Sequence, residues 1–257
     1  MNSAATSRSQ TSTGMVFHMR GDGRPLVLLH GWCLNRKLWI YAEEALAGDF
    51  RVVTPDLPGF GQSEYLAGPY SLERYGDEVR VLLAEAGLRD AVLVGFAFGA
   101  AVALECAAKA AENVRAVVAV GVPGASYSPY TRMPRAMRRD WPDFARKSAR
   151  ALFHTPQSEA TLLWLESMFA SAPLPVALET VEVLAGYEPE KAVASVKAPI
   201  LFLNAEQDTV APTALGQVCA ETALNGRLEV FPDCGHLIVL DQKDAFHERL
   251  RSFIQAV

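Results

Sequence analysis

The sequence predicts one α/β domain in which a mostly parallel, doubly wound sheet carries helices on both faces. Three observations lead to this fold class. The chain has 257 residues, enough for one large domain that buries about three quarters of the surface its unfolded chain exposes. Short apolar runs, typical of strands buried on both faces, alternate with helical patterns. A single long helical interval interrupts this alternation.

The predicted strands are six short apolar runs, none of which alternates cleanly between apolar and polar residues. In chain order they are LVLLHG at 26–31, RVVTPD at 51–56, AVLVG at 91–95, VRAVVAVG at 114–121, PILFLN at 199–204 and RLEVF at 227–231. The helical patterns lie between or after these runs, at 38–47, 71–86, 98–111, 211–222 and 241–255. The repeated order of strand and helix favours a parallel sheet.

The long interval between the strand ending at Gly121 and the one starting near Pro199 is too long for a structureless loop. Its segments ARKSARALF, EATLLWLESMFA and PVALETVEVLAGY look helical. We therefore expect a helical cap over 124–190, inserted into a core formed by 14–123 and 191–257. The small, polar residues at 1–13 predict a disordered N-terminal tail.

Composition excludes several classes of function. The formal net charge is −5, which argues against a general nucleic-acid or anionic-membrane surface. The four cysteines form no Cys-x-x-Cys pair, so we expect free thiols in a reducing compartment, with neither a zinc site nor a disulfide framework. The sequence has no secretory signal and no stretch near the ~18 apolar residues of a membrane span. A soluble cytoplasmic protein is expected.

Four loops that follow predicted strands contain chemically informative residues. In open α/β sheets, ligands bind beyond the carboxyl ends of the strands, so these loops should converge on one cleft. They are the segments His30–Cys33, Gly95–Gly99, Asn204–Asp208 and Asp233–His236.

The segment GFAFG at 95–99 has the pattern of a nucleophile elbow, a sharp turn from strand to helix that lifts its central side chain clear of the sheet. Gly95 and Gly99 leave room where a Cβ would collide with neighbouring backbone. The central residue is Ala97, whose methyl group cannot attack a substrate. The alternative interpretation is a strand-to-helix turn that serves packing alone.

His236 and Asp208 are the candidate base and acid. Each follows a predicted strand, where the imidazole of His236 could face position 97 and Asp208 could accept from its other ring nitrogen. Taken singly, either residue could instead be a solvated or capping loop residue.

The motifs HGW, DLPGFGQS, GFAFG, NAEQDTVAP and CGH, in this order and over nearly the whole chain, resemble the α/β-hydrolase superfamily. The short chain with one helical cap is similar to carboxylesterases of the pimeloyl-acyl-carrier-protein methyl ester esterase type. The resemblance implies an acyl-enzyme mechanism in which His236 is the general base and then acid, and Asp208 orients it. The backbone N–H groups of Trp32 and Phe98 would bind the oxyanion, unless Trp32 serves packing instead. No metal or cofactor is implied.

Asp56 and Ser63 lie in the glycine- and proline-rich segment PDLPGFGQS. Asp and Ser are common in turns because their side chains bond nearby backbone. We expect both to be structural.

We interpret Ala97 as a replacement of a serine nucleophile, because the other features of an esterase site surround it. The chain would then be an inactive form of a carboxylic ester hydrolase. Alternatives within the fold are a carbon–carbon bond hydrolase, a lactonase and a cofactor-free oxygenase; HGWC faintly resembles the cofactor-independent dioxygenases. A natural binding protein on a hydrolase scaffold is the non-enzymatic alternative.

The predicted cap has an uneven charge. Seven basic residues face two acidic ones over 132–150, whereas 151–190 contains six glutamates and no lysine or arginine. The basic segment is interpreted either as a solvated helix face or as a site for an anionic substrate or acidic carrier protein. The expected partner is a small ester, with no nucleic acid or membrane involved, and the expected state is a monomer or dimer.

Overall fold

The computed structural model describes residues 6–110 and 112–257. Its strands are β1 (Ser7–Gln10), β2 (Val16–Arg20), β3 (Pro25–Leu29), β4 (Arg51–Pro55), β5 (Ala91–Phe96), β6 (Val114–Val120), β7 (Ile200–Ala205) and β8 (Gly226–Phe231). Within the described residues they form one sheet in the order β1-β2-β4-β3-β5-β6-β7-β8. The pairs β1–β2 and β2–β4 are antiparallel and the other pairs are parallel.

The described helices are α1 (Ile40–Leu46), α2 (Leu72–Glu85), α3 (Phe98–Lys109), α4 (Met133–Arg139), α5 (Trp141–Ala151), α6 (Glu159–Ser171), α7 (Leu174–Ala185), α8 (Pro189–Val193), α9 (Thr213–Thr222), α10 (Ile238–Asp241) and α11 (Lys243–Ala256). Short 3₁₀ helices occupy Arg36–Trp39 and Ser128–Thr131.

The handedness of the connections places helices on both faces of the sheet. The chain crosses from β3 to β4 in one direction and then moves the other way through β5, β6, β7 and β8. Because such crossovers are right-handed, α1 covers one face, and α2, α3 and α9 cover the other. Helix α11 contacts α1, and α8 contacts both α3 and α9. Every residue of β3 and β5 is consequently buried.

This architecture confirms the predicted fold class, and the six predicted strands and five predicted helices are present with ends shifted by a few residues. Helix α9 begins at Thr213 because Pro212 is its N-cap. The predicted helix at 241–255 begins at Lys243, after Gln242 takes a non-helical conformation. Position 111, at the end of another predicted helix, lies outside the described residues.

The expected disorder of residues 1–13 is wrong for the described part of that segment, and 1–5 lie outside it. Residues Ser7–Gln10 form β1, which pairs with β2 in the register Ser7↔Met19. The backbone N–H of Ser12 also donates to Glu85 on α2 at 2.8 Å. The segment is ordered by main-chain ladder bonds, which small polar residues make as well as apolar ones do.

Between β6 and β7 the chain forms the 3₁₀ turn at Ser128–Thr131 and helices α4 to α7, hereafter the helical insert (residues 128–185). Asp140 caps α5 by accepting from the N–H of Asp143, and Ser158 caps α6 by accepting from that of Thr161. The predicted boundary at residue 190 falls inside α8, which packs on the core helices.

Candidate active site

Ala97 lies at the tip of a sharp turn between β5 and α3. Its backbone has φ 48° and ψ −112°, a region that costs a non-glycine residue about 1–3 kcal/mol. A Cβ on Gly95 would lie 2.1 Å from the carbonyl oxygen of Gly99, and a Cβ on Gly99 would lie 2.3 Å from that of Leu29. Close packing therefore explains both glycines, but it does not explain the positive φ of Ala97.

Main-chain hydrogen bonds hold this turn on both sides. The N–H of Ala97 donates to the carbonyl of Val120 on β6 at 2.8 Å, and its carbonyl accepts from the N–H of Ala100 at 2.8 Å. Neither bond depends on the side chain at position 97. The turn would therefore hold a serine at this position in the same backbone conformation.

His236 and Asp208 come together beside this turn, from the loops after β8 and β7. Nδ1 of His236 lies 2.7 Å from Oδ2 of Asp208, and both side chains are buried. The other carboxylate oxygen of Asp208 accepts from the backbone N–H groups of Val210 at 2.8 Å and Ala211 at 2.9 Å. Both oxygens of the carboxylate are thus held by hydrogen-bond donors.

The pKa of Asp208 is set by opposing effects. Burial raises it, but the charge and hydrogen bond of His236 and the N–H groups of Ala211 and Val210 outweigh burial, so the pKa lies below its usual value. The carboxylate is ionised at neutral pH and can only accept, so Nδ1 of His236 carries the proton. Nε2 of His236 is then the free nitrogen of the ring.

Two further residues fix the imidazole of His236. The ring of Phe96 packs against it with a centroid distance of 4.8 Å. Gly121, at the end of β6, has φ +59°, and a Cβ there would lie 3.1 Å from Cε1 and 3.3 Å from Nδ1 of His236. Gly121 was not among the site residues predicted from the sequence; its place at the carboxyl end of a predicted strand was the available signal.

A cavity of about 300 Å³ lies between the core loops and the helical insert, a volume within the range of small-molecule sites. Ala97 and His236 both line it. Its remaining walls are mostly apolar and include Leu34, Met133, Phe144, Leu152, Phe169 and Leu184. The convergence of the predicted loops on one cleft is therefore observed.

Trp32 and Phe98 also line this cavity. In residues 6–110 and 112–257, no hydrogen bond from the backbone N–H of either residue is present. Phe98 is the first residue of α3, where an N–H has no partner inside the helix. Two N–H groups that can donate to a bound oxygen are thus available beside Ala97.

Tyr127 and Tyr130 are cavity residues that were not predicted from the sequence. Their rings meet edge to face at 4.8 Å. Burial raises the pKa of both hydroxyls, and nearby Asp208 adds to the effect at Tyr127. Both follow β6, so the carboxyl end of this strand was the signal that could have found them.

Asp56 and Ser63 are structural, as the sequence predicts. The carboxylate of Asp56 accepts from the backbone N–H of Arg36 at 2.8 Å and of Gln62 at 2.9 Å. The hydroxyl of Ser63 donates to the carbonyl of Asp56 at 2.5 Å and accepts from the N–H of Val16 at 2.8 Å. These bonds use both side chains to fix loops.

His30 is also structural. Its Nε2 accepts from the backbone N–H of Leu57 at 2.9 Å, so Nδ1 carries the proton and donates to the carbonyl of Gly31 at 2.9 Å. Burial lowers the pKa of His30 and keeps the ring neutral. The residue joins the loops after β3 and β4 and so supports the position of Trp32.

The four cysteines are free and buried. Cys33 follows Trp32 directly, and burial raises the pKa of its thiol well above the usual value. Burial likewise raises the pKa of Cys234, near His236 in sequence, to about 12. Since the thiolate is the reactive form of cysteine, neither thiol is suited to act as a nucleophile.

The basic segment of the helical insert divides into paired and unpaired residues. Arg138 lies 3.7 Å from Glu182, and Arg146 lies 2.8 Å from Asp143. Lys147 and Arg150 also form ion pairs. Within the described part of the chain, three arginines have no ion pair, and they line a surface hollow of about 320 Å³: Arg132, Arg135 and Arg139.

A second hollow of about 300 Å³ connects this arginine cluster with the cavity. It shares Arg139 with the arginine hollow, and Phe144, Ser148 and Ala151 with the cavity above Ala97. The arginine hollow, the second hollow and the cavity therefore lie next to one another along α4 and α5.

Among the residues described, no three His, Cys, Asp or Glu side chains are grouped so that they could hold a metal ion. In the same residues no single helix is long and apolar enough to cross a membrane. Helices α6 and α7 pass that test only as a pair, and they meet at a bend of 92°.

Comparison with known proteins gives the same fold. The model of the alpha/beta hydrolase family matches residues 26–249. A pimeloyl-[acyl-carrier protein] methyl ester esterase of Pectobacterium carotovorum is 30% identical, over 90% of this chain and 94% of that protein. An esterase of Exiguobacterium antarcticum is similar in structure with a TM-score of 0.90 at 21% identity, covering 97% of this chain and 99% of the other. An enol-lactonase of Burkholderia xenovorans has a TM-score of 0.85 at 20% identity, covering 97% and 100%.

Proposed function

The chain belongs to the alpha/beta hydrolase family, and from that premise we propose that it is a carboxylic ester hydrolase whose nucleophile position is occupied by Ala97. One observation carries the proposal: His236, bonded to the buried Asp208, borders the same cavity as the tip of the strained elbow. An ionised acid, an oriented imidazole and a residue held at positive φ are the parts that acyl transfer needs.

With a serine at position 97, the first half of the reaction follows from these parts. The hydroxyl oxygen attacks the ester carbonyl while Nε2 of His236 takes its proton, and Asp208 stabilises the imidazolium without becoming protonated. His236 then gives the proton to the departing alcohol, leaving an acyl ester on residue 97. In the second half, water donates its proton to His236 and attacks the acyl group, and the proton returns to residue 97 as the acid leaves.

The backbone N–H groups of Trp32 and Phe98, which have no partner in the described chain, are the proposed donors to the oxyanion of each tetrahedral intermediate. Loss of one such donor typically costs about 2.7–4 kcal/mol of transition-state stabilisation. The N–H of the residue after the nucleophile and an N–H from the loop after the earlier strand are the pair this fold uses. Both residues line the cavity beside Ala97.

The backbone at Ala97 supports the interpretation of a replaced serine. Strained backbone conformations of non-glycine residues cluster at active sites, and a methyl group gains nothing from the strain. The same turn bonds would hold either side chain. The chain as it stands would bind an ester without forming an acyl-enzyme.

The decisive experiment is Ala97→Ser, assayed with p-nitrophenyl esters of increasing acyl length beside the parent chain. We expect hydrolysis by the serine variant and scarcely any by the parent, because binding and the oxyanion donors alone give little turnover. The control is Ala97→Ser combined with His236→Ala, which keeps the hydroxyl but removes the base. Equal and negligible rates for Ala97→Ser and the parent over the whole panel would overturn the proposal.

A lactone and a carbon–carbon bond substrate belong in the same panel, because the enol-lactonase of Burkholderia xenovorans has this fold. Fold likeness alone does not separate these reactions from ester hydrolysis. Turnover by the parent chain with Ala97 would favour an alternative that needs no nucleophile, such as a cofactor-free oxygenase. Tight binding by both the parent and Ala97→Ser, with turnover by neither, would favour a binding protein.

The arginine cluster formed by Arg132, Arg135 and Arg139 is the proposed contact for an anionic substrate or an acidic carrier protein. These guanidinium groups have no ion pair within the part of the chain that is described, and their hollow adjoins a second one that shares lining residues with the cavity. The relative from Pectobacterium carotovorum acts, by its name, on a carrier-protein ester. An acyl chain attached to a docked carrier would reach the elbow along these hollows, with the helical insert acting as the cap of the site.

A further inference from the structure

The indole of Trp32 links the core to the helical insert. Its Nε1 donates to the hydroxyl oxygen of Thr180 on α7 at 2.9 Å. Thr180 is fully buried, and its own hydroxyl donates to the carbonyl of Val176, one turn earlier, at 2.6 Å. Because that bond uses the hydroxyl proton, the threonine oxygen is held as an acceptor for Trp32.

The same indole packs on two other helices of the insert. It meets Phe144 of α5 edge to face at 6.5 Å and Phe169 of α6 at 5.6 Å. One side chain from the loop after β3 therefore contacts α5, α6 and α7. Phe144 and Phe169 also line the cavity, so a group that enters the cavity would contact the rings that hold the indole.

The loop that carries Trp32 has little freedom of its own. The N–H of Leu34 closes a tight turn on the carbonyl of Gly31 at 3.1 Å, and Cys33 has φ 57°. A Cβ on Gly31 would lie 2.7 Å from the ring of Phe96. The peptide groups on either side of Trp32 are therefore closely restrained.

We propose that Trp32 is a positioning residue that couples the helical insert to the oxyanion donor, with Thr180 as its anchor. The inference rests on the proposed function, since it assigns the backbone N–H of Trp32 to the oxyanion. The hydrogen bond from Nε1 to Thr180 fixes the orientation of the indole. The indole in turn fixes the conformation of the turn at Trp32, and that conformation directs the backbone N–H of Trp32 toward the oxyanion. Displacement of the insert thus misaligns the donor, and a misplacement of about 1 Å can lower a rate about a hundredfold.

The first test is kinetic and uses Ala97→Ser as the reference enzyme. Thr180→Val removes the acceptor at constant shape, and Thr180→Ser keeps the hydroxyl. We expect Thr180→Val to lower kcat about tenfold or more with KM within about twofold, as for a group that acts in the transition state. Thr180→Ser should stay close to the reference. Thr222→Val, which loses a similar bond to Val218 on the distant α9, is the matched control and should leave kcat unchanged.

The kinetic coupling between the two partners is measured by a double-mutant cycle. Trp32→Phe keeps an aromatic ring but removes the indole N–H. If the bond is the link, Trp32→Phe combined with Thr180→Val should be no slower than the slower single variant. Losses of kcat that multiply would overturn the proposal, as would a kcat for Thr180→Val equal to that of the reference.

A second test does not require an active enzyme and uses the chain with Ala97. The backbone ¹⁵N–¹H resonance of Trp32 should shift in Thr180→Val, but not in Thr180→Ser or Thr222→Val. An unmoved resonance in Thr180→Val would overturn the coupling whatever the esterase assay shows. Conversely, a shifted resonance with no hydrolysis by Ala97→Ser would support the link and reject the proposed function, so the two failures are distinguishable.

Discussion

At residue 97 the chain combines a constrained backbone with an unreactive methyl side chain. The elbow holds φ 48° through bonds to Val120 and Ala100 and through the absence of Cβ atoms at Gly95 and Gly99. The backbone therefore sets the conformation at position 97, and under the proposed function a single oxygen atom there separates the site from a complete nucleophile, base and acid. This is why Ala97→Ser is the most informative substitution.

His236 and Asp208 should be required in the serine form. In Ala97→Ser, His236→Ala should lower kcat by about 10⁴-fold or more, because the serine loses the acceptor of its proton. Asp208→Asn should also impair turnover, because an amide that donates to Nδ1 would leave the imidazole in the wrong tautomer. Steady-state kinetics, with circular dichroism to check folding, measure both effects. Retained activity in His236→Ala would place the base elsewhere.

Gly121 should be required for a reason that the sequence does not show. In Ala97→Ser, Gly121→Ala should lower kcat by about tenfold or more, because its Cβ would press on the ring of His236. It should also destabilise the fold by about 1–2 kcal/mol, the cost of a left-handed residue. Gly87 supplies the control Gly87→Ala, because it has φ +62° and no described atom lies within 4 Å of the place its Cβ would take.

Thermal unfolding and kcat, measured together, separate the two effects at Gly121. Gly87→Ala should lose a similar stability at full kcat. If Gly121→Ala loses stability but keeps kcat, then contact with His236 is unimportant and Gly121 serves only the backbone.

At the scale of elements, α4 and the second half of α5 carry basic residues of two kinds, those with an ion pair among the described residues and those without. Arg135→Gln with Arg139→Gln removes two unpaired charges from the arginine hollow, whereas Arg138→Gln with Arg146→Gln removes two paired ones. Both double variants change the net charge equally. Any difference between them therefore reports the hollow and not the overall field.

If the hollow contacts an anionic partner, the first double variant should lower kcat/KM for an acidic ester several-fold at low salt and flatten its salt dependence. The second should change it less, and neither should alter turnover of a small neutral ester. The kcat/KM of both double variants for both esters is measured in the Ala97→Ser background at low and high ionic strength. Equal behaviour of the two double variants toward the acidic ester would identify the segment as a solvated surface.

At the scale of the whole molecule, the buried carboxyl groups of Glu43 and Asp208 make the free energy of unfolding depend on pH in opposite directions. Burial raises the pKa of Glu43, despite the nearby Arg36 and a hydrogen bond from Thr54. Its contribution is therefore most favourable at low pH and is lost as pH rises through the unfolded and then the folded pKa. The pKa of Asp208 is lowered, so its contribution is present above the unfolded pKa and is lost as pH falls.

Glu43→Gln should accordingly raise the Tm at neutral pH, because the amide is uncharged and its oxygen can still accept from Thr54. The gain should shrink as pH falls below the usual pKa of glutamate. Denaturation followed by circular dichroism at several pH values measures this. Glu44→Gln, at the exposed neighbour of Glu43, is the control, and an equal gain there would reject burial as the cause.

The sequence by itself determined the fold class and most of the core. The apolar runs that became β3 to β7 are almost wholly buried, and a continuous apolar pattern indicates this without knowledge of the neighbouring strands. The elbow could also be predicted from the local sequence. The steric collisions that require glycine at positions 95 and 99 arise within a few residues of Ala97 or from the adjoining strand. The order of Asp208 and His236 placed them at the same edge of the sheet.

Only the tertiary structure decided the contacts between segments distant in sequence. The strand at Ser7–Gln10 was missed because its stability lies in ladder bonds to β2, which the side chains do not encode. The places of Gly121 beneath His236 and of Trp32 against Thr180 depend on how the sheet and the insert meet. Likewise, composition does not show which basic residues of the insert form ion pairs. Among the described residues, three arginines have none: Arg132, Arg135 and Arg139. Hydrogen bonds and steric contacts act over a few ångströms, so residues far apart in sequence reveal them only once the chain is folded.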